Sequence, residues 1–561
     1  MQLKSLPNKI LEHPSRKIII VQIISLVVLG FLLYANTLPG KFLWDDYGLV
    51  RDNAQIKSLS GVKKILATNI GAGTGVASNF YRPIQIFAYA LDYFLWRLNP
   101  AGYHLSSILF HIAVALALYW LVSVVFKDYR LSFLASALFI IHPLHTETVA
   151  YISARADIIA AFFFLLTFIF YIKHLLSGSN KPLICALLFY PLALLAKESS
   201  LIFPLLALFY HYVFRVKIRP RVFLFFLFEI AAYFLLRLAV LKSPLLTLPG
   251  SEPFYYRLPG FFLALGEYAR LIILPFNLHM EYGLKLFKFS HPGVIPGAFI
   301  LCAALFCMFK KWKNKVWPFA LGWFLIMLLP VANLYPINAY MAEHWMYLPS
   351  VGVFIAGAYA LLSLHSLKYC RIFAKVLIIS LFSYYAFLTT QQNNYWRSPL
   401  LLLERTLEYA PDSPRANNEL GNEYARLGDN SRAEAFYRKA IIADPRYKGA
   451  YVGLGNLYCR ADKPVEALAM YQKAAEILPD SPEPYVGLGN ALLKLKRGEE
   501  AVSAYEKAIA LQPDAAYIYH NIAVACFSLK KYGPAVRYFD KADELGYPPS
   551  PQTEEFLKAY R

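Results

Sequence analysis

The hexapeptide Tyr-Val-Gly-Leu-Gly-Asn occupies residues 451–456 and recurs 34 residues later, at residues 485–490. Self-similarity at a fixed period of this length indicates stacked helical repeats, because one unit alone cannot bury its apolar face. The positions that keep this period of 34 residues are Gly421, Gly455, Gly489 and Ala523; Ala433, Ala467, Ala501 and Ala535; Tyr437, Tyr471, Tyr505 and Phe539; Ala440, Ala474, Ala508 and Ala542; and Pro445, Pro479 and Pro513.

This combination is typical of tetratricopeptide (TPR) repeats, with small residues where paired helices touch, an aromatic ring between the helices and a closing proline. We predict four repeats over residues 414–547, a linker and half repeat over 393–413, and a capping helix over 548–561. The groove of such a solenoid predicts a protein or peptide partner. A plain stacking unit without a ligand is the alternative.

The first 392 residues have a different character. The whole chain is 58% hydrophobic and only 16% charged, and the apolar residues concentrate in runs between residues 18 and 391 that are candidate membrane spans. We therefore predict an all-α fold, with a polytopic helical membrane domain over 1–392 followed by the α-solenoid. About eleven spans are expected, at 18–37, 104–126, 131–145, 156–176, 183–197, 199–214, 222–241, 293–309, 316–334, 350–367 and 372–391.

The net charge of +20 reflects topology rather than nucleic-acid binding, because the basic residues cluster in short loops between apolar runs. If these loops face the cytoplasm, the N-terminus is cytoplasmic and the TPR tail is extracytoplasmic. The run 260–276 contains Glu267 and Arg270 and is expected to be interfacial or re-entrant. The loops that set this orientation contain Lys127 and Arg130; Lys173 and Lys181; Arg215, Lys217, Arg219 and Arg221; Lys310, Lys311, Lys313 and Lys315; and Lys368, Arg371 and Lys375.

Ionisable side chains collect at the outer ends of the predicted spans. Such residues are costly near a bilayer and mark functional sites more often than chance. Packing or interfacial anchoring explains any single one, but less readily the whole set. The set consists of Asp45, Asp46, Arg82, His104, His142, His145, Glu147, Arg155, Asp157, Lys197, Glu198, Glu343 and His344.

The chemistry that suits this set is transfer from a phosphorylated lipid. A carboxylate such as Asp45 or Asp46 can deprotonate an incoming hydroxyl, and cations can stabilise a phosphate leaving group. The six cysteines have no metal-binding spacing, and the sequence contains no HExxH motif, phosphate loop or nucleophile elbow. We expect no resident cofactor and no metal site, although a divalent ion held by Asp and His together is not excluded.

Six short strings, in this order along the chain, resemble the transmembrane and tetratricopeptide repeat-containing proteins, which are relatives of the protein O-mannosyltransferases. The resemblance covers nearly the whole chain. One departure is Glu343-His344, where the family often has Glu-Arg. The strings are Trp44-Asp45-Asp46; Tyr81-Arg82-Pro83; Gly102-Tyr103-His104; His142-Pro143-Leu144-His145-Thr146-Glu147 with Arg155-Ala156-Asp157; Lys197-Glu198; and Tyr347-Leu348-Pro349-Ser350.

The resemblance implies a C-type membrane glycosyltransferase fold. It implies inverting transfer of a sugar, typically mannose, from a polyprenyl- or dolichyl-phosphate donor to a protein Ser/Thr hydroxyl. It also implies that the acidic pair Asp45 and Asp46 includes the catalytic base. Four repeats are fewer than eukaryotic members usually have, so we expect a prokaryotic member in the plasma membrane.

The leading hypothesis assigns Arg82, Arg155, Lys197 and His344 to the phosphate, with the TPR groove binding the acceptor. The remaining polar residues would shape the cavity. A non-catalytic membrane-anchored TPR adaptor for envelope or secretory proteins is the alternative. A transporter ranks last, because the charges lie at span ends rather than near the middle of the membrane. The residues expected to shape the cavity are His104, His142, His145, Glu147, Asp157, Glu198 and Glu343.

Overall fold

The structure is a computed structural model. It describes residues 15–58, 62–74, 78–241, 253–283, 286–334, 336–337, 339–545, 547, 550, 553–555 and 558–560. Its two compact units comprise Met1–Ser398 and Pro399–Arg561. The described residues form helices and turns without any strand, so the predicted all-α class is confirmed.

The first unit contains fifteen α-helices among its described residues. Backbone caps define several of their ends: Asn99 accepts a hydrogen bond from the Ala101 N–H at the start of α4, and Gly178 adopts a left-handed conformation after α7. The helices are α1 Arg16–Tyr34, α2 Val62–Leu66, α3 Pro83–Trp96, α4 Pro100–Phe126, α5 Tyr129–Ile141, α6 Thr146–Ala150, α7 Arg155–Ser177, α8 Asn180–Ala196, α9 Phe203–Phe214, α10 Pro220–Leu241, α11 Phe254–Ile273, α12 Val294–Lys310, α13 Val316–Leu328, α14 Ser350–Ser366 and α15 Arg371–Tyr395.

Among the described residues, five helical segments are long and apolar enough to cross a membrane, and the bent pair of α5 with the helix after it makes a sixth if counted as one span. Five further apolar helices have 10–17 residues. A helix therefore occupies each of the eleven predicted spans, and the number that crosses the membrane stays a prediction. The long segments are Arg16–Thr37, Pro100–Phe126, Ile152–Ser177, Pro220–Leu241 and Lys368–Tyr395.

The core of this unit lies where α4, α5, α7 and α14 pack together. Aromatic side chains fill it, including the fully buried Trp323 and the stacked pair Phe168 and Phe319. Helix α11 carries Arg257, Glu267 and Arg270 and is absent from the candidate spans of the described residues. Its predicted interfacial position stays a prediction.

The second unit is a stack of helix pairs. Helix α16 packs against α17, and the first helices of neighbouring repeats contact one another as well as their own partners. Half of the predicted capping helix over 548–561 lies outside the described residues, and Thr553–Glu555 are helical. The helices are α16 Pro399–Tyr409, α17 Pro414–Arg426, α18 Asn430–Ala443, α19 Lys448–Arg460, α20 Pro464–Ile477, α21 Pro482–Lys494, α22 Gly498–Leu511, α23 Ala516–Ser528 and α24 Tyr532–Glu544.

A tyrosine ring joins the first repeat to the second, and another joins the second to the third. A Cβ atom added at Gly421 would lie 2.8 Å from the Tyr437 ring, and one added at Gly453 of the following repeat would lie 2.4 Å from it. Tyr471 occupies the equivalent space between Gly455 and Gly487, with corresponding distances of 2.6 and 2.3 Å. At these two junctions the ring has room because both helices present glycine, which explains the glycines at all four positions.

Candidate functional site

Asp46 fixes the loop that follows α1. One carboxylate oxygen accepts a 2.9 Å hydrogen bond from the Leu43 N–H, and the other accepts one of 2.8 Å from the Ser153 N–H and another from the Ser153 hydroxyl. The side chain is fully buried. Burial raises the pKa of Asp46 to about 7, although these hydrogen bonds oppose the shift. Asp46 therefore ties this loop to the turn before α7.

Asp45, one residue earlier, has an exposed side chain. Its backbone N–H donates to the Tyr151 hydroxyl at 3.2 Å. The Tyr151 ring stacks on Trp396 with centroids 5.6 Å apart. Burial first, and then the charges of Asp45 and Asp46, raise the pKa of Tyr151 well above its ordinary value. The two adjacent carboxylates thus have different environments, since one is solvent-facing and the other is locked in the protein.

Two ion pairs lie at the starts of α3, α7 and the segment after α8. The Arg82 guanidinium forms two hydrogen bonds to the Glu198 carboxylate, at 2.9 and 2.5 Å. The Lys197 ammonium contacts both Asp157 oxygens, at 2.6 and 2.7 Å. Arg82 also interacts electrostatically with Asp157. The structure therefore joins four of the predicted site residues, from three distant segments, into one network of alternating charge.

Arg155, which the sequence predicts as a phosphate contact, lies in the protein interior. Its side chain is fully buried. It pairs with Asp92 and donates to the Ser107 hydroxyl at 3.1 Å and the Tyr103 carbonyl at 2.6 Å. Asp92 is not among the site residues predicted from the sequence, and it lies in an otherwise apolar part of α3. An isolated acid in such a helix is the signal that could have identified it.

Glu147 and His344, which are both predicted site residues, form a third pair. The His344 ring Nδ1 lies 2.7 Å from one Glu147 oxygen, and the His344 backbone N–H donates to the other at 3.0 Å. Next to it, the Glu343 carboxylate accepts hydrogen bonds from the His279 N–H at 2.6 Å and from the Tyr282 hydroxyl at 2.7 Å. Burial, with a further contribution from the Glu147 charge, raises the pKa of Glu343 well above its ordinary value.

The remaining predicted histidines are buried in the protein interior. His142 lies 2.9 Å from the Ile272 carbonyl and caps the turn at Leu144. His145 bridges the Phe139 carbonyl at 2.8 Å and the Ser350 hydroxyl at 3.0 Å. His104 is buried, with its ring close against Gly40. His142 and His145 therefore hold backbone segments together.

The described residues contain no group of three or more His, Cys, Asp or Glu side chains arranged to hold a metal ion. The predicted metal-free, cofactor-free chemistry stays a prediction. What the arrangement offers is an exposed carboxylate at Asp45 and partly accessible cations at Arg82 and Lys197, whose side chains are 15% and 9% exposed.

The TPR unit presents a repeated polar feature. The hydroxyls of Tyr437, Tyr471 and Tyr505 donate to the side-chain oxygens of Asn422, Asn456 and Asn490, at 2.8, 2.7 and 2.6 Å. Each asparagine is exposed on the first helix of its repeat. Because the oxygen of each amide is occupied by tyrosine, a hydrogen of its NH₂ group can turn towards solvent. The NH₂ group of Asn422 also donates one hydrogen bond to the Glu419 carboxylate, at 3.2 Å. The result is a row of three oriented donors, one in each of the first three repeats.

Three tetratricopeptide repeat models match the chain, at residues 400–448 and 418–482, at 458–519 and at 516–545. Among solved structures, a thermophilic TPR protein from Thermus thermophilus is similar to 32% of this chain and 93% of its own, with 21% identity and a TM-score of 0.26.

Curated relatives match both parts of the chain. Protein O-mannosyl-transferase F38B6.6 of Caenorhabditis elegans is 26% identical over 450 residues, which are 75% of this chain and 63% of that protein. Protein O-mannosyl-transferase TMTC4 of Mus musculus is 26% identical over 491 residues, 73% of this chain and 65% of that protein. The chain thus spans just under two thirds of the length of these relatives. It carries tetratricopeptide repeats and is homologous, over about three quarters of its length, to the TMTC protein O-mannosyl-transferases.

Proposed function

We propose that this chain is a membrane glycosyltransferase that moves a sugar, with mannose expected, from a polyprenyl- or dolichyl-phosphate donor to a Ser/Thr hydroxyl of a protein. The observation that carries the proposal is the unequal pair Asp45 and Asp46, one exposed and one locked by Leu43 and Ser153. The names of the relatives support the same reaction class.

Asp45 is the general base in this mechanism. Its carboxylate takes the proton of the acceptor hydroxyl while that oxygen attacks the anomeric carbon of the sugar. The bond from this carbon to the phosphate oxygen breaks, and the phosphate leaves with the bonding electrons. Attack from the face opposite the leaving group inverts the configuration. Asp46 acts as a positioning residue, because its two oxygens are committed to three donors and its side chain does not reach solvent.

Arg82 and Lys197 are the proposed contacts for the phosphate. Each holds a carboxylate partner and keeps part of its side chain accessible, so a phosphate oxygen can share the same donors. His344 is a further candidate, with its side chain 26% exposed beside Glu147. Arg155 is proposed to position the start of α7 through Asp92 instead of contacting substrate.

The acceptor is proposed to bind the TPR groove as an extended peptide. Neighbouring helices pack roughly 8–10 Å apart, and an extended chain advances about 3.3 Å per residue, so one repeat corresponds to about three peptide residues. The oriented amides of Asn422, Asn456 and Asn490 are suitable donors for backbone carbonyls at that interval. The charge distribution of the sequence supports a tail on the same side of the membrane as Asp45, with the N-terminus cytoplasmic.

The test is in vitro transfer by the purified chain in lipid nanodiscs. Polyprenyl-phosphate mannose, polyprenyl-phosphate glucose and a nucleotide sugar are each offered with a Ser/Thr-rich protein acceptor, and products are read by mass spectrometry. Transfer from a lipid-phosphate sugar, with none from the nucleotide sugar, is the expected result. An adaptor without catalytic activity would bind acceptor through its repeats and leave every acceptor unmodified.

A further inference from the structure

After its first turn, helix α10 carries three polar side chains, Glu229, Tyr233 and Arg237, of which Tyr233 and Arg237 are buried. Tyr233 and Arg237 are one turn apart, so they share a face of the helix. They are only 3% and 4% exposed. The outward faces of α10 instead carry exposed apolar side chains such as Phe228 and Leu235, which are 72% and 68% exposed. The helix therefore has a lipid-compatible outside and a polar inner face near its end.

Arg237 is a buried cation that contacts no carboxylate of the described residues. Its guanidinium donates to the Asn79 carbonyl at 2.8 Å. No ion pair with a carboxylate reaches it from any described residue, whereas Arg82, Arg155 and Lys197 each have one. Buried charges are almost always paired, because leaving one unpaired in a low-dielectric environment is costly. An anion bound next to Arg237 would therefore neutralise its charge and stabilise it.

The Tyr233 hydroxyl lies beside that cation, and its proton has no acceptor among the described residues. The charges that act on it are those of Glu198, Arg237 and Arg82. A buried O–H donor without an acceptor destabilises the fold, because it has lost its hydrogen bond to water. Tyr233 and Arg237 together thus offer an unmatched O–H donor and an unmatched positive charge next to the Arg82–Glu198 pair.

The described ionisable residues nearest this point have an excess of one positive unit, and Glu229 of the same helix is eight residues, or about 12 Å of helix rise, from Arg237. Arg82 is matched by Glu198 and Lys197 by Asp157, which leaves Arg237 over. Arg237 is four residues from the end of α10 at Leu241, a rise of about 6 Å. An anion bound there would lie near one membrane surface, while an apolar tail attached to it could extend along the exposed faces of α10.

We propose that Arg237 and Tyr233 bind the phosphate of a polyprenyl-phosphate lipid, which enters sideways between α10 and the loop at Asn79. A phosphate supplies several oxygen acceptors for the Tyr233 hydroxyl and the Arg237 guanidinium, and its charge compensates the excess. This inference rests on the proposed function, because it adds Arg237 and Tyr233 to Arg82 and Lys197 as contacts for the phosphate of the proposed donor.

The experiment measures binding instead of transfer. Full-length protein in nanodiscs is titrated with a short polyprenyl phosphate, with the corresponding polyprenol, with phosphatidylglycerol and with inorganic phosphate, using native mass spectrometry. Arg237→Gln is expected to weaken polyprenyl-phosphate binding by about tenfold to a hundredfold, as loss of a charged hydrogen bond predicts. Arg221→Gln is the matched control, since Arg221 is exposed at the other end of the same helix. It should leave affinity unchanged.

Equal affinity of Arg237→Gln and wild type would overturn the proposal. So would equal binding of polyprenol and polyprenyl phosphate, or binding of inorganic phosphate or phosphatidylglycerol as tight as that of the polyprenyl phosphate. If Arg237→Gln does not fold, Tyr233→Phe decides, because it removes one hydroxyl only. Unchanged affinity in Tyr233→Phe would then contradict the site. Arg237-dependent lipid binding without sugar transfer would refute the proposed function and leave this site standing.

Discussion

Replacing Lys197 with methionine probes the ion pair with Asp157. The ammonium lies 2.6 and 2.7 Å from the two carboxylate oxygens, and the side chains are 9% and 13% exposed. Without Lys197, the Asp157 carboxylate is poorly hydrated and unpaired. Removing one partner of a buried pair costs about 3–5 kcal/mol. We expect about 3 kcal/mol here, since a tenth of each side chain still meets solvent.

The assay is thermal unfolding of purified wild type, Lys197→Met, Asp157→Asn and the double variant in one detergent. Each single variant should unfold at a lower temperature, because each leaves one charge without its partner. The double variant contains neither charge and should recover most of the loss. A double variant that loses the sum of both single effects would refute the assignment of a coupled, buried pair.

Transfer activity separates the two roles of Lys197. If its ammonium also contacts the donor phosphate, the double variant recovers stability and remains at least about tenfold slower in transfer, the loss expected for one charge-assisted hydrogen bond. Wild-type transfer by the double variant would limit Lys197 to holding the fold.

Two further predictions concern the loop after α1 and the TPR unit. The pKa of Asp46, about 7, is above its ordinary value of about 3.9, so its contribution to stability is present below about pH 4 and is lost as the pH rises through 7. Asp46→Asn cannot titrate and should show a smaller fall in melting temperature between pH 5 and pH 8; an identical fall in both proteins would contradict the raised pKa. Gly453→Ala would place a Cβ atom 2.4 Å from the Tyr437 ring and should cost about 1–3 kcal/mol. Gly533→Ala, where a Cβ atom meets nothing within 4 Å, should be neutral or slightly stabilising in the same denaturation experiment, and equal losses at both positions would refute the packing argument.

The TPR repeats and the apolar helices could be predicted from the sequence, because both depend on local patterns of residues. The TPR unit follows from a period of 34 residues, because the same glycine and tyrosine contacts recur between successive repeats. The helices over the predicted spans follow from apolar runs, because a helix satisfies its own backbone in an apolar setting. Both signals lie within short stretches of chain, and the structure contains the corresponding helices.

Which polar side chains pair with one another at the site depends on tertiary packing and could not be predicted. Arg82 and Glu198 are 116 residues apart in sequence, and Asp46 and Ser153 are 107 apart. The sequence supplied the charged residues without saying which carboxylate each cation contacts. It therefore left Asp45 and Asp46 equivalent, whereas burial now distinguishes them. Arg237 was missed because one cation within a long apolar run has no local signal for the anion that it requires.

The most direct test of the account is transfer by Asp45→Asn. The purified variant is assayed with polyprenyl-phosphate mannose and a Ser/Thr-rich acceptor. The control is Asp52→Asn, since the Asp52 side chain lies in the same loop and is 51% exposed. Loss of the general base should reduce kcat by about 10²- to 10⁴-fold, with unchanged melting temperature and donor binding, while Asp52→Asn remains active. Transfer by Asp45→Asn at the wild-type rate would contradict the assignment of Asp45 as the base.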